Sequence, residues 1–303
     1  MNLWRLNLKP EAAKSNPSEF CITRNILGIG WSVNIEKKED ITKEEYLELG
    51  KEKYGDTRWV KATNAIIKNM KTGDLCWVRH DGNYYLGRVK GEWGYKDKEE
   101  YIDADIVNIR ECTWTKGVLA DIVPGKVVNS FIPPSTVQRV NDKAAKKYSM
   151  KLYNQLIGEE IYKGTEFNQK DDIFSILSSD DCEDLIYFYL QNKYDYILIP
   201  STCKNSTQKY EFTMISKKDG HKSVVQVKNG NVDLNTNDFL NINADIVYLF
   251  TTKGKYTEEK SEKVICINRE DILNFIETEK ILPPRIENII NMFFNDMKLK
   301  TTF

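Results

Sequence analysis

The segment Ser223-Val224-Val225-Gln226-Val227-Lys228 leaves its stretch of chain little choice of local structure. β-Branched residues favour extended backbone, and successive side chains of a strand point to opposite faces. Gln226 and Lys228 therefore share one face, with Val225 and Val227 on the other. Lys218-Asp219-Gly220 supplies a turn before this strand, and residues 210–216 read as its hairpin partner. The hairpin sets Glu211 across from the polar pair and turns Phe212 away. A helix precedes it, capped at Ser179-Asp180-Asp181 and running to Asn192. Glu183 lies one turn into that helix, where Leu185, Ile186, Phe188 and Tyr189 give it a surface to bury.

The remaining elements follow from periodicity and punctuation. In the second half, strands are expected at 196–200, 245–251 and 263–268, and helices at 171–177, 269–278 and 283–298. A polar loop with Asn205-Ser206-Thr207 separates two of the strands. In the first half, a strand is expected at 3–8 and helices at 43–54 and 58–70. Lys71-Thr72-Gly73-Asp74 turns the chain into a strand at 75–79, and Asp81-Gly82 turns it back into one at 84–89. Short strands are expected at 104–109 and 126–131, then a helix from 135 to 156 with Gly158 as its C-cap. The polar stretch 158–170 reads as a linker. The expected class is α+β, within the wider α/β group: a strand-rich domain over 1–157 and a mixed sheet flanked by helices over 171–303.

A length of 303 residues suits two domains of this size. The net charge of -1 hides an asymmetry. Residues 1–157 carry 26 Lys and Arg against 21 Asp and Glu, and residues 158–303 carry 18 against 24. A basic half joined to an acidic half fits an anion binder joined to a carboxylate site. The six Cys form no CxxC pair, which argues against zinc and for free thiols in a reducing compartment. No apolar run is long enough for a membrane span, and Met1-Asn2-Leu3-Trp4-Arg5 does not open a signal peptide. A cytoplasmic location is the expectation. His80 and His221 both sit beside turns and give His-based catalysis little to work with. Gly28-Ile29-Gly30 lacks the rest of a phosphate loop, so ATP is not implied.

Glu183, Glu211, Gln226 and Lys228 suit phosphodiester hydrolysis. A hard cation such as Mg²⁺ or Mn²⁺ takes oxygen ligands and keeps positions for water and phosphate. Glu211 is the expected principal metal ligand. Gln226 offers an amide oxygen to the metal or orients water. Lys228 stabilises the attacking hydroxide or the phosphorane, and Glu183 assists the metal or its waters. The bland alternative is a solvated hairpin face, where cross-strand Glu–Lys pairs are common.

At these residues the chain resembles the PD-(D/E)XK nuclease superfamily, and within it the Mrr-like restriction endonucleases, which often carry Gln-x-Lys in place of Glu-x-Lys. Residues 180–230 hold the order: helix with Glu183, strand with an acid at Glu211, then Gln226-x-Lys228 and Gly230. Glu211 departs from the pattern, because the family usually has Asp there. The resemblance implies a restriction-endonuclease-like sheet.

In the first half, residues 65–77 run from a helix through Met70-Lys71-Thr72-Gly73-Asp74 into a strand, and Tyr84-Tyr85-Leu86-Gly87-Arg88-Val89 fits the next strand. This resembles the EVE family of PUA-like folds, which implies binding of modified or flipped nucleobases. A flipped base needs aromatic faces to stack on, and Trp31, Trp93 and Tyr95 are the candidates, with Trp77 read as core. Arg79 and Arg88, on the paired strands, are candidates for phosphate contact. The expectation for the whole chain is a modification-dependent DNA endonuclease of the restriction or phage-defence type. The rival expectations are a non-catalytic nucleic-acid-binding module and an RNA-directed nuclease. A homodimer would serve cutting of both strands.

Overall fold

The computed structural model describes residues 1–9, 13–35, 41–55, 58–168, 171–204, 209–257 and 261–298. Asn205, Ser206 and Thr207 of the expected polar loop lie outside the described residues. The chain forms two compact units, Met1–Glu166 and Phe167–Phe303. Each unit combines helices with one sheet, so the class is α+β. No described helix is long and apolar enough to cross a membrane.

The first unit is built on six strands: β1 (Leu3–Leu6), β2 (Ile26–Ile29), β3 (Leu75–His80), β4 (Asn83–Tyr95), β5 (Asn108–Trp114) and β6 (Val137–Arg139). Their order in the sheet is β2-β5-β4-β3-β1-β6. β1 runs parallel to β3, and the other pairings are antiparallel. Asp81 and Gly82 join β3 to β4 with φ of 46° and 73°, the paired positive φ of a hairpin turn matched to strand twist. Thr42 and Glu45 close a capping box on the helix Lys43–Tyr54. The next helix, Arg58–Asn64, runs on as a π-helix, Ala65–Asn69. One face of the sheet buries Trp4, Leu6, Ile29, Val78 and Val89 against Tyr46, Trp59 and Ile66 from these helices.

Three expectations for this unit are corrected. The segment 104–109 is not one strand: a short helix, Glu99–Asp103, ends in a left-handed turn at Asp105 (φ 53°), and β5 starts at Asn108. The segment 126–131 is helical (Gly125–Ser130), because Pro124 opens a helix that outweighs the strand preference of Val127 and Val128. The helix expected from 135 is two elements. Residues 137–139 pair with β1, and the helix at Lys143–Ile157 starts only where the Asp142 side chain accepts from the Ala145 N–H at 2.7 Å. Gly158 ends it in the left-handed region at φ 80°. The division between the two units, after Glu166, falls within the stretch expected as linker, whose first part packs on this unit: Tyr162 is buried, meets the Tyr153 ring and donates its hydroxyl to Gly73 O at 2.7 Å.

The second unit holds β7 (Tyr196–Ile199), β8 (Phe212–Ser216), β9 (Lys222–Lys228), β10 (Ile246–Thr251) and β11 (Val264–Cys266), in the order β11-β10-β9-β8-β7. The first three form an antiparallel meander, and the last two add in parallel to β9. A single 3-10 turn, Ile173–Ser175, stands where residues 171–177 suggested a helix. The helix Ser179–Tyr194 carries a capping box between Ser178 and Asp181. Asp181 also accepts from Arg285 Nε at 2.6 Å, which ties this helix to Pro284–Lys298.

Candidate functional site

β9 is an interior strand, with β8 and β10 on its two sides. Val224 packs with Phe239, Val247 and Leu249 on the same side as Gln226, while Val225 is buried on the other. The face that carries Gln226 is therefore covered over most of its length, and only its end opens. Gln226 is 5% exposed, which is not the surface of a solvated hairpin.

Glu211 lies one residue before β8, and its N–H donates to Val225 O at 2.8 Å. This bond extends the hairpin pairing and brings the Glu211 side chain opposite Gln226. Gln226 Nε2 reaches Glu211 Oε1 at 2.5 Å, and Lys228 Nζ reaches the same oxygen at 3.0 Å. Gln226 Nε2 also donates to Val227 O at 3.2 Å. Glu211 Oε2 has no hydrogen-bond partner among the described residues. Beyond Lys228, Asn229 Nδ2 donates to Leu177 O, and Thr252 Oγ1 donates to Asn229 Oδ1. These bonds fix the backbone from which the lysine projects.

Glu183, in the first turns of the helix Ser179–Tyr194, is half-buried. Burial raises its carboxyl to about 7, and the charges of Glu211, Asp180 and Asp184 push the same way, while Lys228 pulls it down. The structure thus brings the four expected residues into one electrostatic neighbourhood. Asp184 and Cys203, whose side chains are also raised by burial and by neighbouring acids, join it with no signal in the sequence pattern.

The donor chemistry fits a hard divalent cation. Glu211 and Glu183 are oxygen donors that repel each other, and a cation would relieve that repulsion. Gln226 directs its amide nitrogen at Glu211 here, so its oxygen meets a cation only after the amide turns over. Among the described residues, no three His, Cys, Asp or Glu side chains form a ready metal cage. Mg²⁺ commonly takes one or two carboxylates and fills the rest with water and substrate phosphate.

In the first unit the expected base-binding residues divide. Trp31 is partly exposed and has φ 67°, the left-handed region that a bulky side chain adopts at a cost. Its carbonyl accepts from the Tyr46 hydroxyl at 2.9 Å, and its backbone N–H helps offset the effect of burial on the nearby Asp105 carboxyl. Gly30 lies against that carboxylate so closely that any Cβ would overlap it. Asp105, raised above the usual carboxylate range by burial, had no sequence signal; only the turn before β5 brings it here.

Trp93 and Tyr95, expected to face a ligand, are core residues at 9% and 8% exposure. Tyr46 covers both rings, and their polar edges are already used: Trp93 Nε1 donates to Asn108 Oδ1 and the Tyr95 hydroxyl to Val33 O. Trp77 is buried, in line with its reading as core, with its indole N–H on Ser149 Oγ. Arg79 is exposed beside the hairpin turn. Arg88 lies over the Tyr162 ring, 5.8 Å from its centroid, so it is a packing residue more than a free cation.

Residues 4–139 match the model of a family described as a domain of unknown function (DUF8426). No curated protein and no solved structure matches the chain.

Proposed function

We propose that the second unit is a metal-dependent phosphodiesterase centre of the PD-(D/E)XK type, and that the whole chain is a modification-dependent DNA endonuclease. The observation that carries this reading is one carboxylate oxygen, Glu211 Oε1, receiving both Gln226 and Lys228 at the end of a buried interior strand. Surface Glu–Lys pairs do not recruit a buried glutamine. A raised carboxyl at Glu183 beside them is the kind of perturbed acid that marks functional sites.

In this reading Glu211 and the Gln226 amide oxygen would hold the cation, with Glu183 beside its waters, and the bound cation would supply Lewis acidity and an activated water. Lys228, paired with Glu211 here, would turn its charge to the phosphate oxygens where a cation took its place on that carboxylate. There it balances the negative charge that grows as water adds to phosphorus and the P–O bond to the leaving strand breaks. Glu183, poised near neutrality, accepts a proton from the attacking water. In the first unit, Trp31 would offer the stacking face for an extruded base, and Asp105 the hydrogen-bonding edge.

The test is cleavage of modified and unmodified duplexes with Mg²⁺ or Mn²⁺. Wild type should cut, and Lys228→Ala and Glu211→Gln should not. No cleavage by any of the three would leave a non-catalytic binding module as the better reading, and equal cleavage by all three would overturn the assignment of Glu211 and Lys228. Trp31→Ala should cut but lose its preference for the modified duplex. Cleavage of RNA alone would transfer the reading to an RNA-directed nuclease.

A further inference from the structure

A groove on the first unit is lined by cations that have no ion pair among the described residues. It has a volume of about 590 Å³ and runs between the edge strand β6 and the helix that ends as the π-helix Ala65–Asn69. Its floor is Trp4, Ala65 and Val137, all buried. Lys61 and Lys68 line one wall with Ala65 between them, a spacing that keeps all three on one helix face. Lys71 follows at the turn, and Arg139 comes from β6. A second hollow of about 260 Å³ shares Asn2, Arg139 and Asn141 with the first and adds Lys143 and Lys146.

Six cations thus border two adjoining hollows with a shared wall at Asn2, Arg139 and Asn141, which together make a trough. Among the described residues none of them is in an ion pair. The one lining acid, Asp142, is spent on capping the Ala145 N–H. Asp74, beneath the groove, accepts from Asn2, Trp4 and Lys71 and is 1% exposed. The remaining polar groups of the groove, including Asn2, Asn69 and Asn141, are neutral donors and acceptors. Unpaired like charges this close repel one another, and a polyanion removes that repulsion. A small anion would need cations converging on one point. These come from several elements (the helix wall, the turn after it, β6 and the start of the helix Lys143–Ile157), as contacts to successive phosphates of a strand would.

We infer that this trough is a track for the phosphodiester backbone of a nucleic acid, separate from Trp31 and from the second unit's carboxylates. It deepens the reading of the first unit as nucleic-acid binding and does not depend on cleavage by the second.

The experiment is anisotropy of a labelled 20-base-pair DNA duplex and a matching RNA duplex against the full chain in EDTA, over a salt series. The triple variant Lys68→Ala, Lys71→Ala, Arg139→Ala changes exposed side chains only. It should weaken binding at least ~10-fold and flatten the slope of log Kd against log salt by about 2–3, roughly one for each phosphate no longer neutralised. A control with the same charge change elsewhere, Lys90→Ala, Lys96→Ala, Lys116→Ala, should alter neither by as much. Equal loss in both variants would reduce the effect to net charge and overturn the track. Tight wild-type binding with no loss in the groove variant would overturn the track while leaving a nucleic-acid-binding first unit standing. No binding of either duplex, or binding only to anionic lipid vesicles, would overturn both. Cleavage by wild type and its loss in Lys228→Ala is read separately, so failure of the nuclease reading is distinguishable from failure of this one.

Discussion

Trp4 donates its indole N–H to the buried Asp74 carboxylate at 2.8 Å. The same carboxylate accepts the Asn2 N–H and amide and the Lys71 N–H. The Gly-Asp turn before β3 is therefore also the clamp that seats the start of β1. Asp74→Ala leaves buried donors unsatisfied, and we expect a loss of about 2–4 kcal/mol. Thermal unfolding followed by Trp fluorescence checks it; a loss below about 0.5 kcal/mol would mean the clamp is dispensable.

Glu211 is the residue on which cation binding turns. With Mg²⁺ in large excess over its dissociation constant, unfolding of wild type should shift upward by the equivalent of about 2–3 kcal/mol. Glu211→Gln should show little of that shift. A shift of the same size in both proteins would place any cation elsewhere.

Glu183 carries the pH dependence. Its carboxyl sits at about 7 against an ordinary value of 4.5. Between these values the folded chain keeps a proton that the unfolded chain has lost, so stability falls as pH rises through this window and stays lower above it. Glu183→Gln removes the penalty. The variant should match wild type at pH 4 and be the more stable at pH 8, by about 1 kcal/mol after screening of a half-exposed group. A pH-independent difference would rule out burial of the Glu183 carboxylate as its cause.

Arg110 gathers the end of the π-helix. It donates to Met70 O at 2.7 Å, Ile66 O at 3.2 Å and Gly91 O at 3.0 Å, and is 1% exposed. A lysine ammonium cannot span these carbonyls, so Arg110→Lys should cost roughly 2 kcal/mol despite the unchanged charge. Amide exchange in residues 65–70 should quicken in the variant; unchanged protection there would show that the π-turn holds without its arginine.

The elements that local rules can read are those with strong punctuation. Asp81-Gly82 and Asp219-Gly220 turn the two hairpins, and the helix cap read at Ser179-Asp180-Asp181 falls one residue earlier, at Ser178. Residues 125–139 mislead a local reading because their fate is decided at a distance. Val137-Gln138-Arg139 is a strand only because β1 pairs with it. The alternation of Trp93 and Tyr95 gives their shared face, but nothing local says that Tyr46 will cover it. At the candidate site, the pairing of Glu211 with Gln226 and Lys228 is legible because one hairpin makes it. The raised Glu183 and the placement of Asp105 beside Trp31 arise from tertiary packing and are not.

β1 lies between β3 and β6, so the earliest strand of the first unit to be synthesised is bordered by its last. Arg5 reinforces this by donating to the carbonyls of Ser130 and Ser135 and to Gln138. During translation the β3–β4 hairpin can form as soon as it emerges, but β1 stays half-paired until residues 137–139 are made. Pairing thus begins in the middle of the sequence and ends by joining its first and last strands, a non-local contact of the kind that slows folding. For that interval the chain exposes one apolar strand edge, and the charged edge strand β6, with Arg139 on it, is what finally covers it.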